Sequence, residues 1–112
     1  VNDTEAGVIR VFDVGSDGGL SGGALWARVE GAGEGRADGM KVDVADRVFC
    51  NGPGGVHVYD PEGAWLGRIA TPEKSTNFCF GGAERRALFV TASTSLYRIE
   101  TETAGPPMIH FG

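Results

Sequence analysis

The sequence lacks any apolar run approaching the roughly 18 residues that a membrane-crossing helix needs, and it has no charged and apolar leader at its start. We therefore expect neither membrane insertion nor export, and no membrane partner. Basic residues are also scarce, since 10 Lys and Arg stand against 15 Asp and Glu, for a net charge of -5. Because nucleic-acid affinity depends on basic side chains that neutralise phosphates, a nucleic-acid partner is not expected either.

Cysteine is limited to Cys50 and Cys79, without a CxxC pair or a Cys-His cluster. This pattern excludes a disulfide framework and the usual spacing of a structural zinc site. Each cysteine lies in a short apolar run, at 48–50 and 78–80, where a reduced thiol packs as a small hydrophobic group. We therefore predict reduced cysteines and a cytoplasmic location.

Helical periodicity is absent as well, and 19 glycines and five prolines separate short runs rich in β-branched and aromatic residues. The sequence predicts an all-β protein. Strands are predicted at 8–14, 24–29, 40–44, 48–51, 56–59, 65–69, 77–80, 87–92 and 95–100. Residues 15–23 are predicted to form a glycine-rich loop between the first two strands.

Three of these strands share one pattern, at 8–13 (VIRVFD), 55–60 (GVHVYD) and 95–100 (SLYRIE). Their offsets of 47 and 40 residues are typical of a four-stranded propeller blade. We predict one propeller domain over 1–112, with blade remnants at about 1–36, 37–75 and 76–112. A matching strand precedes the second and third copies, but only residues 1–3 precede the first. We therefore expect this chain to be the C-terminal portion of a longer protein.

Asp38 lies where the chain enters the strand at 40–44, and in a propeller the first strand of each blade lines the central channel. A carboxylate there suits calcium or magnesium, which prefer oxygen ligands. The alternative, given equal weight on spacing alone, is a turn acid before Gly39. Asn77 is predicted to occupy the place in the next blade that Asp38 holds in its own. His57 and His110 have no partner at ligand spacing, so His57 is predicted to be a surface or core-rim residue.

Several motifs in order resemble one known family: 37–43 (ADGMKVD), 52–63 (GPGGVHVYDPEG), 77–82 (NFCFGG) and 88–92 (LFVTA). They are similar to the senescence marker protein / gluconolactonase / luciferin-regenerating-enzyme-like family. The resemblance implies a six-bladed propeller, of which this chain is the C-terminal half. It also implies a hydrolase of sugar lactones with one divalent cation in the channel, calcium first, with magnesium, manganese or zinc as alternatives.

The resemblance further implies that Asp38 is a metal ligand and possibly the base that activates water, and Asn77 would line the substrate pocket. The family's other two ligands, a Glu and an Asn, have no counterpart here, so a complete site is not expected in this chain. Ala37 stands where the family usually has Pro, and we expect it to loosen the turn. The alternative function is a non-catalytic propeller module, sugar-binding or self-pairing, because open sheet edges invite self-association.

Overall fold

The computed structural model describes residues 1–107, and every regular element in that range is a β-strand. The all-β prediction is confirmed, and the described chain contains no helix with the length and apolarity to cross a membrane. The ten strands are β1 (Asn2–Asp3), β2 (Val8–Val14), β3 (Leu20–Arg28), β4 (Met40–Val42), β5 (Val48–Gly52), β6 (Gly55–Tyr59), β7 (Trp65–Ala70), β8 (Ser75–Gly81), β9 (Ala87–Ala92) and β10 (Leu96–Glu100).

The strands form three antiparallel sheets that follow one another along the chain: β1 to β3, β4 to β7, and β8 to β10. The three copies of the repeated pattern are β2, β6 and β10. Each pairs with the strand that precedes it. The predicted repeat therefore corresponds to one sheet per copy, as in successive propeller blades, while the number of blades in a closed ring stays a prediction.

The middle sheet is buried on both faces, which explains its unbroken apolar run at 48–50. Successive side chains of a strand point to opposite faces, so Cys50 joins the core facing the first sheet and Phe49 joins the core facing the third. The first core also contains Ile9, Ala27, Val29, Ala37 and Tyr59, and the second contains Val56, Phe78, Leu88 and Val90. These two cores hold the three sheets together in chain order.

The predicted loop at 15–23 is too long, because β3 already begins at Leu20. The turn itself occupies residues 15–19 and is closed by a hydrogen bond from the Gly15 N–H to the Gly19 carbonyl, at 2.8 Å. Gly22 and Gly23 have φ angles of +85° and +90° and lie near register shifts between β2 and β3. Glycine tolerates this left-handed backbone, so these residues form an irregular strand that composition alone made look like a loop.

His57 is buried, so its predicted place at the surface or the core rim is wrong. Its face of β6 is covered by the first sheet, and both ring nitrogens are engaged. Nδ1 accepts a hydrogen bond from Trp65 Nε1 at 3.1 Å, and Nε2 lies 2.9 Å from the Pro53 carbonyl oxygen. Because Trp65 is a donor only, this arrangement requires a neutral His57 that donates through Nε2. His110 lies outside the described residues.

Strand β4 ends at Val42 and not at the predicted residue 44, because Asp43 turns the chain. Its buried carboxylate accepts hydrogen bonds from the backbone N–H groups of Ala45 and Arg47 and from Arg47 Nε at 2.7 Å. Burial alone would raise the pKa of Asp43, but these hydrogen bonds outweigh it and lower the pKa below its ordinary value. This tight turn fixes the far end of the strand that follows Asp38.

Candidate functional site

Asp38 lies in the turn leading into β4, where all three sheets meet. The Asn2 side-chain amide, from the first sheet, donates to the Asp38 carbonyl oxygen. The next residue, Gly39, donates its N–H to the Thr76 carbonyl of the third sheet at 3.0 Å and accepts the Asn51 N–H at 2.9 Å. The backbone around Asp38 is therefore held from three directions, while the residue itself is exposed to solvent.

Ala37 is fully buried in the first core, and its carbonyl oxygen accepts a hydrogen bond from Thr4 Oγ1 at 2.8 Å. The expectation that alanine loosens this turn finds no support in the structure, because packing and hydrogen bonds fix the backbone that proline would have restrained. The backbone at Asp38 is thus fixed by contacts that do not involve its own side chain.

Asn77 lies on β8 and is exposed to solvent. Its Oδ1 accepts the N–H of Phe78 at 2.9 Å and lies 3.5 Å from Lys41 Nζ. A polar side chain so close to the turn of Asp38 is suited to contacting a ligand there, although its role in a substrate pocket stays a prediction.

The register argument that equated Asn77 with Asp38 is wrong by one residue. Asn77 pairs with Thr91, and Thr91 in turn pairs with Leu96, the second residue of the repeat copy at 95–100. In the middle sheet the equivalent of Thr91 is Asn51, because it pairs with Val56, the second residue of the copy at 55–60. The backbone partner of Asn51 is Gly39, so Gly39, and not Asp38, is the equivalent of Asn77. The register of Asn77 is set by the pairing of β8 with β9, and spacing along the sequence does not fix that pairing.

Gly39 brings the two candidate residues together. A Cβ atom built on Gly39 would lie 2.3 Å from Asn77 Oδ1, 2.8 Å from Asn77 Cα and 2.7 Å from Asn51 Oδ1. No side chain fits in that space, so only glycine allows β4 to approach β8 this closely. Gly39, the residue after Asp38, is thus in contact with Asn77 on β8, the first strand of the third sheet, while the channel itself stays a prediction.

Two asparagines of this site were missed from the sequence. Asn2 and Asn51 occupy equivalent positions, since they pair with Ile9 and Val56 of the repeated strands. Asn51 is fully buried, and its Nδ2 donates to Ser75 Oγ at 2.7 Å, while its Oδ1 has no hydrogen-bond partner within the described chain. The signal that could have found them is an asparagine at the same place in two repeat copies.

Divalent cations of the calcium type take six to eight oxygen ligands. Nowhere in residues 1–107 do three or more His, Cys, Asp or Glu side chains cluster in a way that could hold a metal ion. Asp38 offers a carboxylate of the right chemistry, but the nearby Asn77 Oδ1 already accepts a backbone hydrogen bond. The described residues therefore fit one corner of a cation site and do not form a complete one.

The described chain also has a cavity of about 840 Å³ beside this site, because Lys41, whose Nζ lies 3.5 Å from Asn77 Oδ1, is one of its lining residues. It is lined by side chains of β2, β3, β4 and β8, and neither Asp38 nor Asn77 contributes to it. Asp38 and Asn77 are therefore not wall residues of this cavity, although Lys41 lies between Asn77 and the cavity.

Comparison with known proteins places these features in context. The family described as SMP-30/Gluconolactonase/LRE-like region matches residues 1–94. A gluconolactonase of Zymomonas mobilis subsp. mobilis is 35% identical over 72 residues, which cover 63% of this chain and 20% of that protein. The chain thus spans about a fifth of that curated relative.

Solved structures give the same picture. An X-ray structure assigned as a gluconolactonase has a TM-score of 0.85 and 34% identity, over 95% of this chain and 36% of its own. A gluconolactonase from Xanthomonas campestris has a TM-score of 0.69 and 31% identity, over 80% of this chain and 28% of its own. A luciferin-regenerating enzyme shares the fold, with a TM-score of 0.80 at 16% identity, over 93% of this chain and 41% of its own.

Proposed function

Because the chain belongs to the SMP-30/gluconolactonase/LRE-like family, we propose that it is part of a six-bladed propeller that hydrolyses sugar lactones, and that Asp38 is its contribution to the active site. The observation that carries this proposal is the exposed Asp38 carboxylate on a backbone that three sheets hold in place. A backbone fixed in this way is what a site needs to hold a functional side chain in position.

Asp38 is proposed as one ligand of a divalent cation, calcium first, with magnesium, manganese or zinc as alternatives. With a cation held there by Asp38 and by ligands from the rest of the propeller, the chemistry supplied would be polarisation of the lactone carbonyl. The Asp38 carboxylate accepts a proton from the attacking water as the water oxygen bonds to the carbonyl carbon. The ring C–O bond then breaks, the ring oxygen takes the proton from Asp38 to become a hydroxyl group, and the product is an open-chain hydroxy acid.

Asn77 is proposed to orient the substrate. The Phe78 N–H holds its Oδ1, so the side-chain amide is fixed with Nδ2 available as a donor. Within residues 1–107 this Nδ2 has no hydrogen-bond acceptor, and it suits a hydroxyl or carbonyl oxygen of a sugar lactone. Lys41, close to the same side chain, adds positive charge on the side where an acid product forms.

The test combines cation binding and hydrolysis on the same samples. The chain, Asp38→Asn and the control Asp17→Asn are titrated with calcium, magnesium, manganese and zinc, and gluconolactone hydrolysis is followed by proton release. Asp17 is an exposed turn acid whose substitution leaves the proposed site intact. We expect weak cation binding by the chain, loss of that binding in Asp38→Asn, and no change in Asp17→Asn.

The catalytic proposal for this chain fails if the unmodified chain neither binds a cation nor hydrolyses the lactone. It fails equally if Asp38→Asn behaves as Asp17→Asn does in both measurements. Lactone binding without hydrolysis in every variant would instead support the sugar-binding form of the non-catalytic module.

Open sheet edges favour a second candidate, a module that pairs with a second copy of itself. Strand β1 covers β2 only as far as Arg10, so the rest of β2 is paired on one side among the described residues. Within residues 1–107, β10 likewise pairs only with β9. Exposed edges of this kind recruit further strands. Sedimentation velocity at increasing concentration tests this, and a strictly monomeric species throughout would exclude it.

A further inference from the structure

Asn51 joins the middle sheet to the third sheet beneath the candidate site. It lies on β5, which pairs with β4 and β6 and packs against β8, and none of its surface is exposed. Its Nδ2 donates to Ser75 Oγ on β8 at 2.7 Å, and Ser75 is buried as well. A hydrogen bond between two side chains shielded from water is strengthened by the low local dielectric, so this one holds β5 and β8 in a defined relative position.

The backbone of Asn51 holds the Asp38 turn at the same time. Its N–H donates to the Gly39 carbonyl at 2.9 Å, and the Gly39 N–H donates to the Thr76 carbonyl at 3.0 Å. Because Thr76 follows Ser75 directly, these hydrogen bonds and the one to Ser75 close a ring through β5, the Asp38 turn and β8. Asn51 supplies two of the bonds in this ring, one from its backbone and one from its side chain.

The other polar atom of the Asn51 amide is unsatisfied. Its Oδ1 is shielded from water, accepts no hydrogen bond within residues 1–107 and lies beside Gly39. A buried acceptor without a partner is costly, whereas replacing a hydrogen-bonded pair by apolar groups of the same shape is nearly neutral or stabilising. Stability alone would therefore favour an apolar side chain at this position. The asparagine is better explained by the position that it gives to β8.

The same arrangement occurs between the first and middle sheets. Asn2 is equivalent to Asn51, and its side-chain amide donates to the Asp38 carbonyl oxygen. Each asparagine thus reaches from a strand that pairs with the repeated pattern to the entry of the first strand in the next sheet. Two occurrences in successive repeats indicate that this contact sets how one sheet enters against the next.

We propose that Asn51 is a positioning residue, whose buried amide fixes β8, and with it Asn77, relative to the turn that carries Asp38. This role rests on the proposed function, because it matters for chemistry only if Asp38 and Asn77 serve one site. Asn51 acts through Gly39 and Ser75 and does not contact a ligand itself. Groups that orient metal ligands from behind in this way affect the affinity for the metal without binding it.

The first experiment separates positioning from stability. In the double variant Asn51→Leu/Ser75→Ala, apolar groups replace the amide and its partner, while the backbone hydrogen bond from residue 51 to Gly39 remains. Because the unsatisfied oxygen is removed with the pair, the urea-unfolding midpoint should be equal to that of the unmodified chain or higher. Affinity for calcium, magnesium, manganese or zinc, measured by titration calorimetry, should nevertheless fall about tenfold.

Tyr59→Phe is the matched control. It removes another buried side-chain hydrogen bond, from Tyr59 Oη to the Arg28 carbonyl at 2.8 Å, at the far end of β6. We expect this variant to lower the urea midpoint and to leave cation affinity unchanged. Should leucine fail to fit, Ser75→Ala removes only the hydroxyl and adds no volume. Both Ser75→Ala and Tyr59→Phe should lose stability, but only Ser75→Ala should lose affinity.

Amide hydrogen exchange, followed by NMR, needs no cation. The Gly39 N–H should exchange faster, relative to the Leu88 N–H of β9, in both variants at Ser75, because the Thr76 carbonyl moves with β8. The ratio should not change in Tyr59→Phe. An unchanged ratio in the Ser75 variants overturns the positioning role.

The two proposals fail in different ways. If the unmodified chain binds no cation, the proposed lactone hydrolysis by this chain fails, and hydrogen exchange alone decides the role of Asn51. If the unmodified chain binds a cation and Asn51→Leu/Ser75→Ala binds it equally well, the positioning role is overturned and the role of Asp38 stands. Affinity that follows the urea midpoint in every variant, Tyr59→Phe included, would make Asn51 a structural residue only and overturn the proposal as well.

Discussion

The substitution Gly39→Ala tests whether the contact between β4 and β8 organises the candidate site. The added Cβ would lie 2.8 Å from Asn77 Cα and closer still to Asn77 Oδ1. The Asn77 side-chain oxygen could rotate away, but its Cα is part of the backbone of β8. Ordinary van der Waals contact begins near 3.4 Å, so the two strands would have to separate by about 0.6 Å.

That separation has two costs. The hydrogen bond from the Gly39 N–H to the Thr76 carbonyl, now 3.0 Å, would stretch beyond the normal range, at about 1 kcal/mol. Inserting one methyl group into a closely packed contact adds about 2 kcal/mol. We therefore expect Gly39→Ala to lower the free energy of unfolding by about 3 kcal/mol. The same movement displaces the backbone of Asp38, so cation binding should weaken as well.

The assay is urea unfolding followed by tryptophan fluorescence, with cation titration of the folded variant. Gly19→Ala serves as the control, because a Cβ there meets only the exposed and flexible Asp17 carboxylate, at 3.1 Å. The control should change the free energy of unfolding by less than about 1 kcal/mol. A Gly39→Ala variant as stable as Gly19→Ala would refute the claim that this glycine is required by the approach of β8.

Two further predictions concern buried hydrogen bonds. Asp43→Asn should lower the free energy of unfolding by about 2 kcal/mol at neutral pH, because it removes the charged acceptor of Arg47, whose side chain is 37% exposed. Since the folded pKa of Asp43 is below its ordinary value of 3.8, this stabilisation is present above pH 3.8 and is lost as pH falls through the folded pKa. The difference in free energy of unfolding between the unmodified chain and Asp43→Asn should therefore disappear in acid. A difference independent of pH would contradict the role given to the Asp43 carboxylate. Tyr59→Phe removes the donor to the Arg28 carbonyl, at 2.8 Å, and should cost about 1 to 2 kcal/mol in the same assay; unchanged stability would show that another group satisfies that carbonyl.

Much of the fold could be predicted because its signals are local. Apolar and polar residues alternate along the strands, or apolar residues form short runs between glycines. The repeated pattern at 8–13, 55–60 and 95–100 indicates equivalent strands. The strand start at Met40, and hence the place of Asp38 just before it, followed from the same local pattern. One failure was local in origin, because the bulge glycines 22 and 23 imitate a loop. The other was not, because the register of Asn77 is fixed by its pairing with Thr91 on the next strand.

The sequence by itself determined the all-β class, the repeat and the presence of an acid at the start of β4, because these depend on neighbours along the chain. Tertiary structure decided what surrounds that acid. Asn2 and Asp38 are 36 positions apart, and no periodicity links them. The contact of Gly39 with Asn77 and the burial of His57 likewise arise only when separate parts of the chain pack together. Packing between sheets is specified by the shapes of distant residues, and it turned a candidate turn acid into a carboxylate held at the junction of three sheets.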